Sequence, residues 1–389
     1  MTESLNARVR QVLEGVGENH AEFARRIGIT ADKLSKSLSG TRRFTSLELA
    51  LIAEQGRTTV DWLLHGTQPR TAAGVAARTR TGAGAASDDA RAAALRLAEV
   101  VDALAGIDYR IELPALSALP AGDDPIRQGV ELAMKAEARI GRSPRGLTAR
   151  ALAEQWEQTF GLVAAAAELP DNLDGLSWDS GDFRLILVAR THWWTRQRFT
   201  LAHELGHILA GDATDRPLAE HVAPGSDRTR AEIRANAFAA ELLMPRAELL
   251  KEVAARPRLD KQTLLALSWA YLVSPSAMAT RLRTLEIIGD DERRRWSACT
   301  TRMAAVHAGD PGRHVQHAQQ ARDGWYSTRL AKLAICAYVR GDISIHLVAT
   351  VTGMDPDQLL DLFHPGPGTP DGGPHGISAT SPAELAFSP

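Results

Sequence analysis

Over the first 66 residues the apolar positions recur every three or four residues, in short stripes. Leu5, Val9, Val12 and Leu13 make one stripe; Phe23, Ala24 and Ile27 make a second; Leu34 and Leu38 make a third. That spacing predicts a bundle of short amphipathic helices. The second helix runs from about His20 to Ile27, and Gly28-Ile29 makes a tight turn. Thr30 caps a third helix from Ala31 to Leu38, which Gly40 stops. A fourth helix (Ser46 to Glu54) and a fifth (Val60 to Leu64) close the bundle. Residues 67–90 lose all periodicity and read as a flexible linker of Gly, Ala, Thr and Ser. Residues 91–145 read as a helical connector, with helices near 88–107 and 125–140 separated by prolines. The period changes from Leu147 onward. A helix from Thr148 to Phe160, stopped by Gly161, leads into apolar β-like runs at 162–169, 173–178 and 183–189. Residues 291–363 are helical again, and 364–389 are rich in Pro, Gly and Ser, which predicts disorder.

The stretch from Arg198 to His207 sits in the middle of this pattern. Phe199, Leu201, Ala202, Leu205, Ile208, Leu209 and Ala210 make its helix apolar nearly all round. Such a helix is buried, so the polar residues in it need partners. Those residues are His203, Glu204 and His207, a His-Glu-x-x-His pattern. Positions i and i+4 lie on one helix face, so both imidazoles can meet one Zn²⁺, with Glu204 placed as a general base. A hydrolytic zinc site needs a third protein ligand. After His207 the candidates are Asp212, Asp215, Glu220, His221, Asp227, Glu232, Glu241 and Glu248. Residues 229–244 read as a further helix, stopped by Pro245. On it Glu232 and Asn236 lie i, i+4 and can both face the metal helix. Glu232 would bind the metal, and the Asn236 amide oxygen would hold the free N–H of a ligand histidine. The ordinary alternative for Glu232 is a carboxylate favoured at a helix N-terminus.

These residues carry a resemblance. Arg198 to His207, then Glu232-x-x-Ala235-Asn236-x-Phe238-Ala239-Ala240-Glu241 and the ending Leu242-Leu243-Met244-Pro245, resemble the ImmA/IrrE family of metallopeptidases. The likeness spans about 147–290. It implies an α+β zincin-like domain over 146–290, Glu232 as third ligand and Glu204 as general base. Residues 1–66, through Ala24, Gly28, Leu34, Gly40 and the closing Val60-Asp61-Trp62-Leu63-Leu64, resemble the XRE-type (Cro/C1) helix-turn-helix domain. His20 departs from that family's usual glutamine. The resemblance implies that Ala31, Asp32, Lys33, Ser35 and Lys36 face double-stranded DNA, and that Arg42 and Arg43 meet phosphates. The expected fold class is therefore mainly α with a small β-sheet: an all-α helix-turn-helix bundle, a zincin-like domain and a helical C-terminal region.

Composition narrows the setting. The 389 residues exceed one ordinary core, and the net charge of −2 names no partner. Residues 1–70 hold ten Lys/Arg against eight Asp/Glu, with the basic residues clustered between 33 and 43. Residues 342–363 read as a helix-turn-helix hairpin, but four Asp and no Lys or Arg argue against DNA and for packing or protein binding. Cys299 and Cys336 make no disulfide framework, the start is polar, and no apolar run reaches 18 residues, so a cytoplasmic protein without a membrane span is expected. The resulting expectation is a cytoplasmic DNA-binding regulator with a zinc-dependent peptidase domain. Its substrate would be an XRE-type repressor or the chain itself, and the DNA-reading mode implies a homodimer. The alternatives are a transcription factor whose peptidase-like domain only senses a ligand or partner, and a toxin–antitoxin or phage-type regulatory component.

Overall fold

A four-stranded sheet organises the centre of the molecule. The computed structural model describes residues 5–17, 19–56, 58, 60–66, 85–170, 173–213, 218–220 and 230–363. The strands are β1 (Leu162–Ala167), β2 (Gly175–Asp179), β3 (Arg184–Ala189) and β4 (Leu218–Glu220), in spatial order β1-β3-β2-β4. β1 and β3 run parallel, with Val163 opposite Leu185. β2 is antiparallel to both β3 and β4, with Ser177 opposite Ile186 and Leu218.

Both faces of the sheet are covered, which explains why β1 and the Leu185–Ala189 run of β3 are apolar rather than alternating. On one face Leu162, Ala164, Ala166, Ile186 and Val188 join a core with helices α8 (Ala149–Phe160), α9 (Trp194–Ala210) and α10 (Arg230–Leu243). On the other face Val163, Ala165, Leu176, Trp178, Leu185 and Leu187 join a second core. That core is closed by α6 (Ala85–Ala105), α17 (Thr328–Val339), α18 (Ile345–Thr352) and α19 (Pro356–Phe363). The outer edge of β1 is also closed. Ala166 donates its N–H to the Trp325 carbonyl at 2.8 Å, and Ala164 donates to Glu157 Oε1 at 3.0 Å.

The segments around the sheet differ in use from the sequence expectation. The presumed connector supplies α6 to one face of the sheet. It also supplies α7 (Pro125–Ile140), which packs along α10. α6 begins at Ala85, inside the stretch expected to be linker, because Ala90, Ala94 and Ala98 form a buried stripe with no side chain large enough to signal a core from sequence. The acidic C-terminal hairpin packs: Leu347, Val348, Val351 and Leu359 are buried in the second core. The remaining helices are α11 (Arg246–Ala254), α12 (Lys261–Ala270), α13 (Pro275–Thr284), α14 (Asp290–Trp296), α15 (Thr301–His307) and α16 (Pro311–Asp323). Most of the presumed linker and the presumed tail, 67–84 and 364–389, lie outside the described residues.

The N-terminal segment has a core of its own. Helices α1 (Leu5–Val16), α2 (His20–Arg26), α3 (Ala31–Leu38), α4 (Ser46–Gln55) and α5 (Val60–His65) enclose Val9, Phe23, Leu34, Ile52 and Leu63. Each of these fully buried side chains stabilises the bundle by about 1.5–3 kcal/mol relative to exposure. Thr30 accepts from the Lys33 N–H as the N-cap of α3, and Thr45 with Glu48 forms a capping box on α4. The fold is thus mainly α with a small β-sheet, as the periodicity implies. Among the described residues no helix is long and apolar enough to cross a membrane.

Candidate metal centre

α9 is held in place before any metal chemistry is considered. Its Arg198 side chain is fully buried, and its guanidinium donates to four carbonyl oxygens. These are Leu147 at 2.8 Å, Pro144 at 2.7 Å, Tyr271 at 3.0 Å and Leu272 at 3.3 Å. Burial pulls its pKa down to about 9, which still leaves it charged at neutral pH. One side chain therefore ties the helix to the loop before α8 and to the turn after α12.

Further along this helix, His203 and His207 turn their Nε2 atoms toward each other, 3.1 Å apart. Glu232, in the first turn of α10, reaches both. Its Oε2 lies 3.4 Å from His203 Nε2, and its Oε1 lies 2.9 Å from His207 Nε2. One ligand atom from each of the three residues falls within 4.8 Å of the others, and all three side chains are nearly out of solvent. Two imidazole nitrogens and a carboxylate oxygen aimed at one small volume need a positive charge among them. Burial works against protonation of His207, yet Asp212, Glu232 and Glu204 push its pKa up to about 10. A divalent cation would satisfy the same three donors, and the two-imidazole, one-carboxylate set suits it. The residues therefore fit a metal ion.

Glu204 lies beside this cluster with 4 % of its surface exposed. Burial pushes its carboxyl up from the usual range, Glu232 adds to that, and His203, His207 and Ser177 oppose it. The carboxylate leans over β2. A Cβ added to Gly175 would stand 3.1 Å from Glu204 Oε1 and 2.6 Å from Thr200 Cγ2, so the strand can carry no side chain there.

The structure corrects the role expected of Asn236. Its Nδ2 donates to the backbone carbonyl of Glu232, one turn back on its own helix, at 2.8 Å. The imidazole support comes instead from Asp212, whose Oδ2 lies 3.3 Å from His207 Nδ1. Asp212 Oδ1 pairs with Arg234, and Arg234 also donates to Gln128 Oε1 on α7 at 3.2 Å. The hydrogen bonds to His207 and Arg234 outweigh burial and hold the Asp212 carboxyl below its ordinary value. Among the described residues His203 Nδ1 has no hydrogen-bond partner. Asp212 stood among the possible ligands in sequence. Its true place follows from the chain reversal just after α9, where Asp212 N–H bonds back to the His207 carbonyl. Of the other candidates, Glu241 pairs with Arg281, and Asp215, His221 and Asp227 lie outside the described residues.

α10 reaches the site because α7 lets it come close. A Cβ on Gly129 would stand 2.9 Å from both Ala237 Cβ and Phe238 N, and closer still to the Arg234 carbonyl. Helix–helix approach this tight requires glycine, and it sets the position of Glu232. No motif marks Gly129 in sequence.

The expected DNA-facing residues divide. Ala31, Asp32, Lys33, Ser35 and Lys36 are exposed side by side on α3, with Lys36 Nζ 2.7 Å from Asp32 Oδ2. Arg43 is exposed as well. Arg42 is already engaged within the bundle. Its guanidinium grips Glu48 with both terminal nitrogens, at 2.6 and 2.9 Å, and also donates to Ser37 Oγ. The Arg42 hydrogen bond in turn holds the Glu48 carboxyl below the usual range. This pair braces the α3–α4 corner.

The family model described as the IrrE N-terminal-like domain, Peptidase_M78, matches residues 158–283. Those residues are similar to a metallopeptidase module. The match runs from the end of α8 to the end of α13 and includes His203, Glu204, His207 and Glu232. It leaves out α7, which packs along α10, and α6 and α17 to α19, which cover one face of the sheet. No curated protein matches the chain.

Proposed function

We propose that residues 146–290 bind one zinc ion and hydrolyse a peptide bond, and that residues 1–66 carry this activity to double-stranded DNA as part of a cytoplasmic regulator. The observation that carries the reading is the convergence of His203, His207 and Glu232 with Glu204 beside them. When bound, the ion supplies a Lewis acid that makes water a nucleophile at neutral pH and polarises a carbonyl. The chain's own residues do the rest. Glu204 takes the proton of the attacking water and passes it to the leaving amine. Asp212 orients His207, and Arg198 keeps α9 in place. The substrate is an XRE-type repressor or a copy of this chain, and the DNA-bound form is a homodimer. The exposed row from Ala31 to Lys36, with Arg43, supports DNA contact.

The test measures metal and cleavage together. Purified full-length protein should carry about one zinc per chain, and His203→Ala and Glu232→Ala should lose it. Normal zinc content in both variants would overturn the ligand set. Glu204→Gln should keep the zinc and stop cleavage of an XRE-type repressor or of the chain itself. Unchanged cleavage would remove Glu204 from the mechanism, whereas a zinc-loaded wild type that cuts neither would favour a sensing module. A fragment from upstream of the gene should shift in a gel, less so with Lys33 and Lys36 changed to Ala, and the affinity should fall steeply with salt.

A further inference from the structure

The start of α9 is held to α16 by groups whose hydrogen-bonding roles are fixed by their chemistry. Trp194, in the first turn of α9, donates its indole N–H to His314 Nδ1 at 3.1 Å. An indole nitrogen only donates, so His314 Nδ1 carries no proton. One turn further along α16, His317 Nε2 accepts from Arg313 Nε at 3.3 Å. A guanidinium only donates as well, so His317 Nε2 carries no proton. Both histidines are therefore neutral, and both serve as acceptors. Arg313 also reaches the Gly146 carbonyl at 3.4 Å. That carbonyl lies in the loop whose Pro144 and Leu147 carbonyls take the Arg198 guanidinium.

The apolar seat beneath these bonds is small. Trp194, Leu272 and Ala321 form it, with Trp269 and Ala318 at its margin. The His317 ring lies 4.8 Å from Trp194 and 6.4 Å from Trp269, centroid to centroid. With so little buried surface, the two polar bonds decide how firmly the N-terminal end of α16 is held. The other end is tied by bonds that do not titrate. There the Ala321 carbonyl accepts from Thr191 N–H at 3.2 Å and from Gln197 Nε2 at 3.1 Å. The surroundings hold both rings below the ordinary histidine value. Burial is the first cause for each; Arg302 on α15 adds to it at His314, and Arg313, His314 and Arg198 add to it at His317. Asp310 acts the other way on His317, but its carboxylate also caps α16 by accepting from Arg313 N–H at 3.3 Å. In the cavity wall beside His317, Arg150 and Glu154 of α8 pair with each other at 3.1 Å, and Asp323 accepts from Gln319.

We propose that His314 and His317 form an acid-sensitive latch, which joins the N-terminal half of α16 to the start of α9 while both rings are neutral and releases it when they take up protons. A second ring proton turns His314 Nδ1 and His317 Nε2 into donors. Each then faces another donor, Trp194 Nε1–H or Arg313 Nε–H, and neither bond survives. The released form binds these protons more tightly than the latched one. The latch is therefore complete above the ordinary histidine value of about 6.5 and is lost as pH falls below it. The Ala321 end stays tied, so α16 opens from its N-terminal end. Arg313 moves with that end, and the Gly146 carbonyl loses its donor. The proposal does not depend on the metal reading.

Hydrogen–deuterium exchange of the full chain at about pH 7.5 and about pH 5.5 tests it, with rates corrected for the pH dependence of intrinsic exchange. Two helical turns cut loose from their seat are too short to hold by themselves. Amides of residues 315–318 should therefore lose protection about fivefold at the lower pH, the order that one histidine contributes one unit below its ordinary value. Residues 319–323 should keep theirs. His314→Asn and His317→Gln each put a neutral amide oxygen near the place of the accepting nitrogen. The double variant, checked for folding by a thermal melt, should protect residues 315–318 equally at both pH values. If it does not fold, His314→Asn alone should show a smaller loss than wild type. His307→Gln, at an exposed position on α15, should respond as wild type does. So should His203→Ala, which separates the latch from any loss of metal. Equal protection at both pH values in wild type, a loss that reaches 319–323 to the same degree, or no loss in His203→Ala would each overturn the proposal. So would a full loss that survives in the folded double variant or, failing that, in His314→Asn.

Discussion

Replacing Asp212 by Asn isolates the part of the metal centre that spacing could not assign. The carboxylate sits between His207 Nδ1, at 3.3 Å, and Arg234. The amide keeps the shape but loses the charge that favours a proton on Nδ1 and hence a bare, metal-ready Nε2. Loss of such an outer carboxylate costs about 10- to 100-fold in metal affinity, or about 1.4–2.7 kcal/mol at about 1.36 kcal/mol per decade. Arg234 also loses its carboxylate and keeps, among the described residues, the bond to Gln128, so the fold is weakened too. Affinity must therefore be read well below the melting temperature, by competition with a chromophoric zinc chelator. Asn236→Ala is the control. Among the described residues its side chain bonds the Glu232 carbonyl within one helix, so zinc affinity should change less than about threefold, the effect of one modest hydrogen bond. If Asn236→Ala weakens zinc as much as Asp212→Asn does, or if Asp212→Asn stays within about twofold of wild type, the assignment of these two residues is wrong.

Three further outcomes follow from the packing around the site. Gly129→Ala forces α10 away from α7 by clashing with backbone, and should cost about 1–3 kcal/mol in a urea melt and lower zinc affinity through Glu232. Gly312→Ala, where an added Cβ meets nothing within 4 Å, should do neither. Arg198→Lys keeps the charge, but one ammonium cannot reach carbonyls on two sides; losing about two charge-assisted bonds should cost about 3–6 kcal/mol with an unchanged m-value. Glu157 is buried, and burial raises its pKa. Its folded form thus favours the proton, and the stability this contributes, complete below the unfolded pKa, is lost as pH rises through the folded one. Glu157→Gln should flatten the fall in stability above about pH 5.

Much of the site was legible because its chemistry is local. His203, Glu204 and His207 lie on one helix, and the four-residue spacing alone brings the imidazoles together. Glu232 needed the resemblance as well, since spacing left it among eight candidates. The mainly helical class and the sheet before α9 were legible for a similar reason: strand β3 is buried on both faces and reads as an unbroken apolar run. What was not legible depends on contacts between distant segments. The Asp212–Arg234–Gln128 chain joins the end of α9 to α10 and α7, and Gly129 matters only because α10 lies against it. The resemblance implied a phosphate contact for Arg42, and nothing in the spacing pointed to its ion pair. Its partner Glu48 is six residues away, across a corner that periodicity does not describe.

The helices outside the family match bear on how the centre could be controlled. α7 touches α10 at Gly129 and meets the Asp212–Arg234 pair through Gln128. Gln128 is itself held by the Pro120 and Gly122 carbonyls at 3.1 and 2.8 Å. A shift of the 120–125 segment would therefore act on Gln128, then Arg234, then Asp212, and end at the orientation of His207. At the opposite end of α9, Gln197 bonds the Ala189 and Ala321 carbonyls and so links β3, α9 and the C-terminal half in one contact. Thus α9 is gripped at both ends by segments that the peptidase-like stretch does not contain. A cut-down chain of residues 158–283 would keep His203, His207 and Glu232. It would lose Gln128, Gly129, Leu147 and Ala321, and with them the contacts that set the angle between α9 and α10. That fragment should bind zinc more weakly than the full chain despite holding every ligand, and equal affinity in the two would show that the outer helices do not position the centre.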